Sequence, residues 1–324
     1  MLRYYQHFGL QRDPFLDTAD PQFYCELPLV RRNAQRVLTG VEDSRGLTVV
    51  IGAPGTGKTS LSANLEQTLL QDERIVIGKI LDPTFASDVE FLLAIGRVFG
   101  LALPPRSSAQ LKNALKNYFF DTAVLEEKTL VLLIDEAQNL TGDGLETLRL
   151  LLNFQVPQRK LLNLVLFGQS ELEAQINARE NLHDRVDAYV RLEPLDPASS
   201  MALIEHRLVR AGKMPLLRLF TSDALELVVA AAGGLPRRLS SVARSAMIEA
   251  ADRGSELVSV DHAIAALRAR GLPVPERAVV PAPAPAVAVV TPAAPQLEPA
   301  PALMPDGAAG RSPSLLRRLF TRRA

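Results

Sequence analysis

Four residues have the types and the spacing of a phosphate-binding loop. Gly52, Gly57, Lys58 and Thr59 fit the pattern G-x-x-x-x-G-K-S/T. Glycine lets the backbone take φ > 0 and curl its N–H groups around a polyphosphate, while lysine suits the β- and γ-phosphates and the threonine hydroxyl suits Mg²⁺. The pattern predicts an ATP site formed by Gly52, Ala53, Pro54, Gly55, Thr56, Gly57, Lys58, Thr59 and Ser60.

The residues on either side of this loop support the prediction. Leu47 to Ile51 is a short apolar run typical of a buried parallel strand, and residues 59–70 carry leucines at helical spacing. Strand, loop and helix therefore come in the required order, so the positive end of the helix dipole faces the anion. A glycine-rich turn that binds nothing is the alternative, and this context disfavours it.

A pair of adjacent carboxylates follows another apolar run. Asp135 and Glu136 come directly after residues 130–134, so both emerge at the carboxyl edge of the predicted sheet, where ligands of open α/β folds bind. We predict that Asp135 holds Mg²⁺ together with Thr59 and that Glu136 orients and deprotonates an attacking water. In phosphoryl transfer the protein contributes mainly positioning and charge neutralisation. A solvated strand end is the alternative reading.

Three further residues are candidates for contacts with the γ-phosphate, and with Lys58 and Glu136 they complete the predicted catalytic set. Gln169 follows a later apolar strand and would reach the γ-phosphate or the water; a polar strand cap is an equal alternative. Arg237, in Gly-Gly-Leu-Pro-Arg, begins a lid helix and would fold back on the γ-phosphate. Arg185, before the last strand, is placed to act on a neighbouring subunit as an arginine finger. A surface salt bridge is the alternative for each arginine.

The composition limits the class of protein and its surroundings. The 324 residues are 47% hydrophobic and carry a formal net charge of +0, which removes any global attraction to nucleic acid or anionic lipid. The single cysteine, Cys25, favours a reducing cytoplasm. No signal-peptide pattern is visible, and no apolar stretch approaches the roughly 20 residues that span a bilayer.

The order of patterns along the chain predicts its domains. Strands alternate with helices from residue 47, which favours an α/β fold of the P-loop type with a parallel sheet and helices on both faces. Four Ala- and Leu-rich helices follow as a small all-α lid. The predicted parts are an N-terminal arm (1–45), the α/β domain (46–195), the lid (196–270), a disordered Pro/Ala-rich linker (271–313) and a basic amphipathic segment (314–324).

The last segment has two readings. As a helix, residues 314–324 would place leucines and a phenylalanine on one face and four arginines on the other, which is typical of weak contact with a membrane surface or a partner. A disordered, solubilising end is an equal alternative. We therefore expect a cytoplasmic protein, with a peripheral position at the inner face of the cell membrane if the segment binds lipid.

Taken together, the motifs resemble those of AAA+ ATPases, and more specifically those of the general secretion pathway protein A (ExeA) type. The resemblance covers roughly residues 3–270. It rests on residues 5–15, Gly52 to Thr59, Leu133 to Leu140 (Leu-Ile-Asp-Glu-Ala-Gln-Asn-Leu), Gly168 to Leu172 (Gly-Gln-Ser-Glu-Leu) and Gly233 to Arg237.

The resemblance implies ATP hydrolysis by a homo-oligomer, with Gln169 as sensor 1 and Arg237 as sensor 2. Relatives of this type assemble envelope machinery for secretion, pili or polysaccharide export, which implies protein components of such a system as partners. Two positions depart from the pattern of the family. Ser170 replaces an expected proline, and Asp82 precedes Pro83 where asparagine is common, so asparagine-mediated control of Glu136 is not expected.

Two other functions fit parts of the pattern. A DNA-associated ATPase of the transposition-helper type has a similar core, although the zero net charge and the Pro/Ala linker after the lid make nucleic acid the less favoured partner. A nucleotide-dependent switch that scarcely turns over is disfavoured by Glu136, because such a switch needs no water-polarising carboxylate.

Overall fold

The computed structural model describes residues 3–16, 18, 20–157 and 159–275. Most of the predicted linker (271–313) and all of the predicted amphipathic segment (314–324) lie outside these residues. Among the described residues, no helix is both long enough and apolar enough to cross a membrane.

Five parallel strands form the central sheet. They are β1 (Leu47–Gly52), β2 (Ile75–Ile80), β3 (Thr129–Ile134), β4 (Asn163–Gly168) and β5 (Val186–Leu192), in the order β2-β3-β4-β1-β5. Every neighbouring pair is parallel. The carboxyl ends of the strands therefore meet at one edge of the sheet, as the sequence predicts.

Twelve α-helices lie among the described residues. They are α1 (Tyr4–His7), α2 (Pro28–Glu42), α3 (Lys58–Leu69), α4 (Asp88–Val98), α5 (Ser108–Phe120), α6 (Gly142–Leu151), α7 (Ser170–Asn177), α8 (Glu180–His183), α9 (Pro197–Arg210), α10 (Ser222–Ala232), α11 (Pro236–Asp252) and α12 (Val260–Ala269). The sequence pattern did not predict α1, α6, α7 or α8. The runs predicted at residues 47–51, 59–70 and 130–134 lie within one residue of the bounds of β1, α3 and β3.

Helices cover both faces of the sheet, because the inner strands are apolar on both sides. In β3, Leu132 packs into a core with α4, α5 and α6, whereas Leu133 packs into a second core with α2 and α3. Adjacent strand residues point to opposite faces, so a continuous apolar run serves both cores. The predicted α/β fold with helices on both faces is confirmed.

The last four helices share a third core with the N-terminal arm. Tyr5, Phe8, Phe15 and Phe23 are buried among the apolar side chains of α9 to α12 rather than against the sheet. The Gln11 N–H also donates to the Ala211 carbonyl at 2.9 Å, which ties the arm to the end of α9. The arm thus runs from the lid core to α2, which packs on the sheet.

Candidate functional site

The predicted phosphate-binding residues form one strand–loop–helix unit. β1 ends at Gly52, the loop continues to Gly57, and α3 begins at Lys58. Gly57 has φ +101° and comes directly before α3, a conformation in which a side chain would be strained. The loop therefore delivers the N-terminus of a long helix to the carboxyl edge of the sheet, which is suited to an anion.

The Lys58 ammonium is held over its own loop. Its Nζ donates to the Gly52 carbonyl at 2.8 Å and to the Ala53 carbonyl at 3.2 Å, and the residue is only 7% exposed. Burial lowers the pKa of Lys58, while the carboxylates of Glu136 and Asp135 act in the opposite direction. The predicted cation and the predicted carboxylates therefore lie close enough to interact electrostatically.

Asp135 is a buried carboxylate that lacks a hydrogen-bond partner. The residue is 4% exposed, and neither Oδ1 nor Oδ2 has a partner among the described residues. Burial raises the pKa of Asp135 to about 6, while Lys79 and the nearby Ser62 hydroxyl oppose that shift. A buried carboxylate without a donor is costly unless a cation compensates it, and Mg²⁺ prefers oxygen ligands. Asp135 thus fits the predicted ion, and Thr59 is exposed in the first turn of α3, directly after the phosphate-binding loop.

Glu136 has an unusual backbone and a close side-chain partner. Its φ is +49°, in the left-handed region that non-glycine residues rarely occupy. One of its carboxylate oxygens accepts a hydrogen bond from Gln138 Nε2 at 2.6 Å. No role is predicted for Gln138 from the sequence, although its position two residues after Glu136, in the Asp-Glu-Ala-Gln segment, is an available signal.

Gln169 lies at the same edge of the sheet. It follows β4 and is the N-cap residue of α7, and its backbone N–H donates to Gln138 Oε1 at 3.2 Å. Asp82, at the end of β2, instead accepts a hydrogen bond from the Thr84 N–H at 3.2 Å. The side chain that contacts Glu136 therefore comes from its own strand end and not from β2.

The two predicted arginines lie at different ends of the domain. The Arg237 N–H donates to the Gly55 carbonyl at 3.3 Å, so α11 of the lid begins against the phosphate-binding loop. Arg185 immediately precedes β5 and lies near Lys160, at the amino end of the sheet. The structure does not bring Arg185 to its own chain's loop, and its action on a neighbouring subunit stays a prediction.

A cleft beside the loop completes the site. The arm contributes Tyr24 and Leu27, α2 contributes the buried Asn33, the loop contributes Gly57, and the lid contributes Pro236. Mainly apolar walls with a few polar groups suit the base and sugar of a nucleotide. No contact with the base is predicted from the sequence, although aromatic residues are concentrated in the arm.

Comparison with known proteins agrees with this architecture. The AAA domain family matches residues 41–176. The general secretion pathway protein A of Aeromonas hydrophila is 32% identical over 275 residues, which are 83% of this chain and 49% of that protein. The chain therefore spans about half the length of this relative.

Solved structures share the fold at lower identity. The Aeropyrum pernix ORC2 protein, in ADPNP-ADP complexes, matches with a TM-score of 0.60 at 16% identity. The match covers 80% of this chain and 71% of the ORC2 chain. The Drosophila ORC bound to DNA has a TM-score of 0.61 at 20% identity, covering 82% and 65% respectively.

The sheet order, the phosphate-binding loop and the helical lid define an AAA+ protein of the P-loop class. Within that class, the 32% identity over most of this chain and the matching AAA domain support a protein of the general secretion pathway protein A type.

Proposed function

We propose that the chain binds ATP with Mg²⁺ and hydrolyses it. The observation that carries this proposal is that Lys58, Asp135 and Glu136 meet at one edge of the sheet. The mainly apolar cleft beside them suits the base and sugar of a nucleotide. A protein that only bound nucleotide would not need Glu136 next to the buried Asp135.

The chain's own residues divide the work of phosphoryl transfer. The loop N–H groups and Lys58 neutralise the phosphates, while Thr59 and Asp135 would hold Mg²⁺, which supplies further positive charge when bound. Glu136 accepts a proton from the attacking water. Gln169 caps α7 and Arg237 lies in the first turn of α11, and both side chains would contact the γ-phosphate.

Phosphate release and nucleotide binding test this proposal directly. The wild-type protein is expected to release phosphate from ATP in a Mg²⁺-dependent manner. Glu136→Gln is expected to bind ATP with unchanged affinity and to lose turnover. Normal hydrolysis by Glu136→Gln would refute the role of this carboxylate.

We propose further that hydrolysis drives or regulates assembly of an envelope export apparatus by a homo-oligomer. The support is the relative named for the general secretion pathway, and the position of Arg185, away from its own loop, favours action between subunits. We place the protein in the cytoplasm, with peripheral membrane contact through residues 314–324. Affinity capture with the ATP-bound Glu136→Gln protein should recover envelope proteins; recovery of DNA with a transposase or replication protein would contradict this assignment.

One surface favours a second candidate, a DNA-associated ATPase of the transposition-helper type. A groove of about 780 Å³ runs between α2 and β5. Its charged lining is Arg31, Arg32, Arg36 and Arg45 together with Glu26 and Asp187, so cations are in excess. Arg31, Arg32 and Arg36 are exposed, and none of these three forms an ion pair with another described residue. A local basic groove on a chain of zero net charge suits a phosphodiester backbone.

Fluorescence anisotropy with labelled DNA decides whether this groove binds nucleic acid. If it does, replacing the three arginines with glutamate should abolish binding and leave ATP hydrolysis unchanged. Equal anisotropy for the wild-type and substituted proteins at low salt would remove the second candidate.

A further inference from the structure

Gln138 forms a bridge between two parts of the site. Its Nε2 donates to Glu136 at 2.6 Å, and its Oε1 accepts from the Gln169 N–H at 3.2 Å. A carboxylate can only accept and a backbone N–H can only donate, so these two partners fix the orientation of the amide. One side chain thus joins the carboxylate after β3 to the turn after β4.

The surroundings of Gln138 restrict its movement. Its backbone carbonyl accepts a hydrogen bond from Gln175 Nε2 of α7 at 3.1 Å, and Ala137 before it is fully buried. A Cβ placed on Gly168 would lie 3.2 Å from Gln138 Oε1, which shows how closely β4 approaches the amide. Because Gln138 is held at its backbone and at both ends of its amide, it is rigid enough to orient another side chain.

Glu136 needs such support. Its backbone lies in the left-handed region at φ +49°, and Gln138 donates a hydrogen bond to its carboxylate. A displacement of about 1 Å in a reacting group lowers the rate by about 100-fold. The hydrogen bond from Gln138 is therefore in a position to control turnover.

We propose that Gln138 is a positioning residue. It holds the Glu136 carboxylate at a fixed position relative to the β4–α7 turn that carries Gln169. A displacement of this turn, where Gln169 meets the γ-phosphate, is then transmitted to the carboxylate that activates water. This role rests on the proposed hydrolysis of ATP. It requires only the backbone N–H of Gln169, so it is separate from the role of that residue's side chain.

The test separates nucleotide binding from turnover. Gln138→Leu removes both hydrogen bonds, and we expect kcat for ATP hydrolysis to fall by about 10- to 100-fold with the Kd for ATP within about twofold of wild type. Gln138→Glu keeps the acceptor oxygen and removes the donor, so it is expected to lose turnover as well. Gln71→Leu, the same exchange at an exposed position after α3, is the matched control and should match wild type.

A double-mutant cycle distinguishes positioning from a general structural effect. In single-turnover measurements, Gln138→Leu should change the residual rate of Glu136→Gln by less than about twofold, because its partner carboxylate is already absent. Additive losses, an unchanged kcat in Gln138→Leu or a large loss of ATP affinity would each overturn the role of Gln138. Absence of hydrolysis by the wild-type protein would instead refute the proposed function.

Discussion

Replacing Asp135 with asparagine should stabilise the protein in the absence of nucleotide and metal. The carboxylate is buried without a hydrogen-bond partner among the described residues, and its pKa is raised from 3.8 to about 6. A pKa difference of about 2 corresponds to about 3 kcal/mol of unfavourable free energy when the group is ionised in the folded protein. Asparagine has nearly the same shape and removes that ionisation.

The sign of the pH dependence follows from the raised pKa. The folded state binds the Asp135 proton more tightly than the unfolded chain does, so its stabilising contribution is present below about pH 4 and is lost as the pH rises through about 6. The stability gained by Asp135→Asn should therefore be about 2 kcal/mol larger at about pH 7.5 than at about pH 4.5. The cost of burying the asparagine amide does not change over this range.

Urea denaturation of both proteins in the presence of EDTA measures this difference. Asp72→Asn is the control with the opposite sign, because hydrogen bonds from Arg74 lower the pKa of Asp72 to about 2. Its stability relative to wild type should fall, not rise, as the pH increases. A pH-independent difference between wild type and Asp135→Asn would refute the burial of an ionisable, unpaired carboxylate at this position.

Three further predictions concern nucleotide chemistry and the chain beyond the lid. Lys58→Ala should abolish ATP binding, since it removes the ammonium over the loop, and equilibrium binding of a fluorescent ATP analogue measures this; retained affinity would contradict the role of Lys58. Arg185→Ala and Glu136→Gln, each inactive alone, should regain part of the ATPase activity when mixed, because one interface then has both groups; no recovery would argue against an arginine finger. Removing residues 271–324 should leave ATPase activity intact and lower recovery in the membrane fraction, and unchanged recovery would exclude an anchor.

The sequence was sufficient for the fold class and for the chemistry of contiguous motifs. The phosphate-binding loop and the Asp135–Glu136 pair depend on residues that are neighbours in the chain, so their order and spacing carry the information. Apolar runs on strands that are buried on both faces likewise predict a parallel sheet. That prediction is confirmed by the strand order and the two cores.

Local patterns were less informative where packing overrides propensity. α6 begins at Gly142 and contains Gly144, which are poor helix formers, yet Leu145, Leu148 and Leu151 are fully buried on its inner face. The helix is therefore stabilised chiefly by the sheet it covers. The low helix propensity of the glycines at the start of α6 is the reason that the sequence pattern did not predict this helix.

Only the tertiary structure decided which distant groups meet. It brought the Gln169 N–H to Gln138, thirty-one positions away, and it placed the aromatic arm in the core of the lid. It also raised the pKa of Asp135, because that shift comes mainly from burial beneath neighbouring elements. The contacts of a residue, its desolvation and the edge of the sheet at which Arg185 lies all depend on the order of the strands in space. That order is set by the packing of the whole chain and not by any single segment.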